Sequence, residues 1–151
     1  MTPFVTAGAG FLIAVLWFDL MFDVQVLRHR GVRRLPDDVL ASIAGYYRRV
    51  TTQARPMNHL VAVAMLGTIV AIAVQIAQDD VDDWVGWTSL ALVVPPIALA
   101  LSHTFPSSVR LGGRADPHDQ QSRLARSICR DHLLCLAAIA ALLTVQLAFA
   151  S

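Results

Sequence analysis

Four long apolar runs decide what this chain can fold into. They cover residues 4–24, 57–77, 84–103 and 132–149. Each is close to the ~20 residues that an α-helix needs to cross a hydrocarbon core ~30 Å thick. A soluble amphipathic helix carries a polar stripe at helical spacing. Here the second run has only Asn58, His59, Thr68 and Gln75 as polar residues, and residues 133–147 have only Thr144 and Gln146. Helices that are apolar on nearly every side take lipid as their solvent. A backbone in lipid must satisfy its own hydrogen bonds, which leaves helices for runs of this length. The sequence therefore predicts an all-α polytopic membrane protein, a four-transmembrane-helix bundle forming one domain over residues 1–151. Composition agrees: 56% of the chain is hydrophobic and 15% charged, against about 45–50% and about 25% in soluble domains. Residues 1–15 lack a basic segment, so the first run reads as a span and not as a cleaved signal.

The charges fix the expected orientation. All 12 basic residues are Arg, and all lie in the connections 28–56 and 104–131. The short connection 78–83 has four Asp and no base. The positive-inside rule makes the Arg-bearing loops cytoplasmic, loop 78–83 external and both termini external. The expected location is the bacterial inner (plasma) membrane, with the lipid bilayer as the principal partner. Trp84 and Trp87 open the third run on the outer side, where an aromatic belt belongs. The net charge of +1 gives no reason to expect nucleic acid.

The cytoplasmic loops have structure of their own. Pro36-Asp37-Asp38 starts a helix, with acids at its positive end. Val39, Ile43, Tyr46, Tyr47 and Val50 then recur at helical spacing, which predicts a short amphipathic helix lying in the membrane interface. Gly112-Gly113 reads as a turn, and Asp116–Asp119 as the start of a helix that continues into the fourth span. Pro95-Pro96 predicts a kink midway along the third span. Small residues in the first run (Ala7 to Gly10) and at Gly67 and Ala71 permit close helix packing, within the chain or in a homo-oligomer. Cys129 and Cys135 are six apart, about 120° out of alignment on a helix, and read as free thiols.

Candidate chemistry gathers at the cytoplasmic ends of the spans. Asp19 and Asp23 are four apart and share a helix face. Asp19 lies about 7 Å inside the end of its run at ~1.5 Å per residue. A carboxylate at that depth normally faces the bundle interior and has a partner. His59, His103 and His132 fall in the terminal turns of the other three spans, on the same side. Asp19, Asp23, His59 and His132 are the candidate catalytic groups. With His103 they form a candidate metal site, and a carboxylate–imidazole set suits iron, zinc or copper. Arg49, Arg55, Asn58 and Tyr47 lie near the same level and could bind a cofactor or an anionic head group. A lipid-soluble small molecule is the expected substrate.

Other motifs carry less. Asp79–Asp83 has the look of an Asp-rich magnesium site but lacks a second acidic cluster. No nucleophile elbow, phosphate loop or Cys-x-x-Cys occurs. The stretch 55–61 is loosely similar to the second helix of the four-span glutathione-using eicosanoid enzymes. Val61 stands where those enzymes carry Glu, so their activity does not transfer. Three roles follow for the chain: a membrane enzyme with its site at the cytoplasmic interface, a non-catalytic subunit or scaffold, or a transporter or channel component.

Overall fold

The computed structural model describes residues 1–150, with every side chain among them except that of Arg55. No strand occurs among the described residues. Helix α1 covers Thr2–Asp23 and runs into a 3-10 helix, Val24–His29. Helix α2 is Asp37–Arg48, and a π-helical turn, Arg49–Gln53, leads to α3, Arg55–Ala77. Helix α4, Asp83–Leu99, continues through a second π turn, Ala100–Thr104, into α5, Phe105–Gly113. Helix α6 is His118–Phe149. Four stretches are long and apolar enough to cross a membrane: Thr2–His29, Pro56–Ala77, Asp83–Gly113 and His118–Phe149.

Helix α1 packs against α3 and α6, and α4 packs against the same two. Their shared core is Val5, Ala9, Leu12, Ala71, Ile72, Val93, Ile97, Ile139 and Leu142. The outward faces are apolar as well. Phe4, Trp17, Phe18, Val63, Leu66, Trp87 and Leu147 are each at least 60% exposed, a far larger apolar surface than a soluble monomer presents. Close approach uses a small residue where α1 meets α3. A Cβ on Gly8 would clash with Thr68 Oγ1. Gly67 has open space around it and plays no such part.

A second core stands beyond one end of this bundle. Helix α6 has 32 residues, about 48 Å at ~1.5 Å per residue, so it outruns a ~30 Å apolar layer. Its first turns, with Val26, α2 and Leu111 of α5, bury Leu35, Val39, Leu40, Ile43, Ala44, Tyr47, Ala125, Ile128 and Cys129. This corrects the expectation that α2 lies in the membrane interface. Its apolar face is buried against protein, because α5 and α6 supply the covering surface.

The third span also differs from expectation. The helix does not end near residue 103 but runs on to Gly113. Pro95 and Pro96 lie inside it and deprive the carbonyls of Ala91 and Leu92 of their usual donors. The ladder widens into the π turn one helical turn later. The turn expected at Gly112-Gly113 falls at Arg114, whose backbone is left-handed (φ 50°). Gly112 serves another purpose, since a Cβ there would lie 2.8 Å from the backbone nitrogen of Arg48.

The opposite end of the bundle is closed by amides. Gln75 Nε2 donates to Gln146 Oε1 (3.1 Å) and to Thr2 Oγ1 (3.1 Å), and Gln146 Nε2 donates to Ser89 Oγ (2.8 Å). Thr2 donates to the Ala150 carbonyl (2.9 Å). One network thus ties α1, α3, α4 and α6, and it places both ends of the described chain together. The N-terminal amine, 3.3 Å from Asp80, adds loop 78–83 to that end.

Candidate functional site

The site lies between the two cores. Asp19 and Asp23 are one turn apart on α1, a rise of about 6 Å at ~1.5 Å per residue. Tyr46 and Tyr47 are neighbours on α2, so their side chains diverge by roughly 100° at 3.6 residues per turn. That divergence lets adjacent residues reach carboxylates a full turn apart. Tyr46 donates to Asp19 Oδ1 at 2.7 Å, and Tyr47 donates to Asp23 at 2.7 and 2.8 Å. Phe22 stacks on Tyr46 with ring centroids 4.2 Å apart and fixes its plane.

His132 of α6 completes the group. Its Nδ1 donates to Asp23 Oδ2 at 2.7 Å, and its Nε2 stands 3.7 Å from Asp19 Oδ2. Asp23 has no exposed surface. A buried carboxylate that accepts from one ring nitrogen sets the tautomer and orientation of the ring, and leaves the other nitrogen for chemistry. Burial and the nearby carboxylates, Asp19 for Tyr46 and Asp23 for Tyr47, push both phenols above the ordinary tyrosine range. Both therefore act as neutral donors.

This polar group closes one end of a cavity of about 360 Å³. The rest of the wall is almost wholly apolar, with Leu12, Leu16, Val61, Met65, Ile97 and Ile139 among its residues. Both π turns contribute, through Val50 and Thr51 from one and Ala100, Leu101 and Thr104 from the other. Irregular turns of this kind recur at functional sites because they re-aim side chains. No arginine is among the described lining residues.

The structure brings together only part of the expected set. Asp19, Asp23, Tyr47 and His132 converge, and Asn58 lines the cavity while donating to the Thr51 carbonyl at 3.0 Å. His59 is exposed on α3. His103 belongs to a separate pair, with its Nδ1 2.6 Å from Asp131 Oδ2, an oxygen that Thr104 also approaches at 3.3 Å. The donors expected for iron, zinc or copper thus divide between places. Among the described residues no group of three or more His, Cys, Asp or Glu side chains is arranged to hold a metal ion. His59 and His103 stand apart from Asp19, Asp23 and His132, so the five expected donors are not brought to one place. Arg49 is exposed and outside the cavity wall, and the side chain of Arg55 lies outside the described residues. Of the other residues at that depth, Tyr46 joins the site through Asp19, while Asp131 pairs with His103 outside the cavity wall. No known protein family, curated protein or solved structure matches the chain.

Proposed function

We propose that the protein spans the bacterial inner membrane four times, with loops 28–56 and 104–131 in the cytoplasm and both termini outside. Within it, the cavity binds a lipid-soluble molecule and the site performs general acid–base chemistry on its polar end. One observation carries this reading: His132 is held by buried Asp23 at the polar end of an otherwise apolar cavity, with Nε2 turned toward Asp19. An imidazole so oriented takes up or delivers a proton at Nε2, and Asp19 stabilises the charge that results. The apolar body of the substrate lies among α1, α3 and α4. An anionic head would meet the Asp19 carboxylate, with buried Asp23 behind His132, and none of the described arginines, so the polar end is neutral or cationic, such as a carbonyl, hydroxyl or amine.

The test has two parts. Wild-type protein is purified in mild detergent, and its co-extracted small molecules are identified by mass spectrometry. The same is done for Met65→Trp, which fills the cavity, and for His132→Gln. The extract is then returned to each protein in deuterated water. Wild type is expected to carry a hydrophobic molecule and to place deuterium on a carbon of it, a position that does not exchange with water unaided. Met65→Trp loses the molecule, while His132→Gln keeps it without exchange. A wild type that carries nothing above background, or a Met65→Trp variant that carries as much, defeats the reading.

A non-catalytic subunit is the second reading, supported by the mutual pairing of Asp23, Tyr47 and His132. It expects His132→Gln to lose stability and wild type to carry nothing. A transport path draws less support, because the apolar layer of Leu12, Ile72, Val93 and Ile139 stands between the site and the amide network.

A further inference from the structure

A second cavity, of about 390 Å³, lies on the other side of α6, between that helix and the turn after the 3-10 helix. Arg126, Cys129, Arg130 and Leu133 contribute from α6. Their spacing, i, i+3, i+4 and i+7, puts them in one stripe along the helix. Val26, Leu27, Arg30 and Gly31 form the facing wall. The groove therefore has three guanidinium groups, no carboxylate and an apolar floor.

The cations differ in freedom. Arg126 donates to the carbonyls of His29, Val32 and Arg33, which fastens the turn to α6 and fixes its charge at the groove. Carbonyls hold that charge without neutralising it. No ion pair among the described residues includes Arg30 or Arg126. Arg130 makes only a long contact, 3.6 Å, with Asp131, which is also held by His103. Arg30 and Arg130 are exposed and free to close on a ligand.

Position along the molecule identifies that ligand. The groove begins within two turns of the end of α1, where the apolar bundle gives way to the Arg-rich lobe. Leu133, at the bundle end of the groove wall, and neighbouring Leu134 are exposed. We infer that this groove binds the head group of an anionic phospholipid, with the phosphate between Arg30, Arg126 and Arg130 and an acyl chain along Leu133 and Leu134. Basic pockets between helices on the cytoplasmic side suit such head groups. A free phosphate would use the same charges but gain nothing from the leucines. The inference rests on the membrane reading above and is independent of the chemistry at His132.

The test uses the full chain and vesicles of phosphatidylcholine, alone or with phosphatidylglycerol. Flotation with pure phosphatidylcholine reads membrane insertion by itself. Retained lipid is then measured by native mass spectrometry after transfer to detergent. Wild type is expected to keep one phosphatidylglycerol, unmoved by inorganic phosphate. An arginine near an anionic surface is worth roughly a factor of five, so Arg30→Gln with Arg130→Gln loses about 25-fold in retention. Arg48→Gln with Arg110→Gln removes the same charge elsewhere and keeps the lipid. Arg30→Gln alone, which breaks no described ion pair, shows a partial loss on a demonstrably intact fold. Equal loss in the control pair, equal retention of phosphatidylcholine, or displacement by phosphate overturns the lipid site. Failure of wild type to float overturns the membrane reading as well.

Discussion

At the scale of single residues, Asp23 is the position where one atom change should matter most. It is fully buried and accepts from both Tyr47 and His132. Hydrogen bonds to a charged group are worth about 1.5–3 kcal/mol each, and the Asp23 carboxylate holds two buried donors. Asp23→Asn is expected to lower stability in detergent by that order. Asp19→Asn weakens one hydrogen bond, from Tyr46, beside an open cavity, and should cost about 1 kcal/mol. Equal losses from both in a denaturant titration would contradict this ranking. The tyrosines give a pH test. Burial and the adjacent carboxylates raise both phenols in the folded state. The stability they confer is therefore complete below the unfolded value of about 10 and is lost as pH rises beyond it. The chain has two tyrosines, so its phenolate absorbance reports on these alone. It should appear only well above the ordinary range, together with loss of fold; phenolate forming near pH ~10 in intact protein would refute the described burial. The i, i+4 spacing of Asp19 and Asp23 was readable because a carboxylate inside an apolar run demands a partner. Which partner was not readable. His59, His103 and His132 share a depth in the sequence, but only rotation of each helix about its axis decides that His132 points inward and His59 outward.

Elements were legible where periodicity was strong, and misread where packing between elements set the outcome. The apolar face of α2 follows from Val39, Ile43 and Tyr47, yet it could cover lipid or protein equally well. Only the return of α5 and the overlength α6 decides for protein. Gly112-Gly113 carries the letters of a turn, but the first glycine is there for contact. A Cβ at Gly112 would meet backbone atoms of Arg48 and Tyr47 at 2.8 to 3.2 Å, whereas one at Gly113 meets nothing within 4 Å. Backbone cannot rotate away as a side chain can, so α2 must lift from α5 and carry Tyr46 and Tyr47 with it. Gly112→Ala is expected to cost about 1–3 kcal/mol, the range for overpacking, and to bring phenolate formation to lower pH. Gly113→Ala should change neither. If the two alanines behave alike in unfolding and in tyrosine titration, the α2–α5 contact is not what positions the site.

For the molecule as a whole, the polarity of the sequence becomes a polarity of the fold. The Arg-bearing segments form a packed lobe with its own core, and the site lies where that lobe meets the apolar bundle. The other end gathers the start of the chain, Ala150 and the acidic loop, joined by Thr2, Asp80, Gln75 and Gln146. An even number of spans requires the termini to share a side, and these contacts meet that requirement without reference to charge. In the topology proposed above, the arginines mark the cytoplasmic side. This makes a sharp prediction for intact cells. Cys129 and Cys135 are buried free thiols, so the folded chain should resist a membrane-impermeant maleimide until it is denatured. Asp82→Cys, on the exposed acidic loop, should react from outside. Val32→Cys, on the exposed turn of the Arg-rich lobe, should react only after the membrane is opened. The opposite pattern would put His132 and its cavity at the outer face and remove cytoplasmic substrates from consideration. Reaction of both cysteines from outside would mean that the helices do not cross the membrane, and the exposed apolar faces of α1, α3 and α4 would then need a protein to cover them.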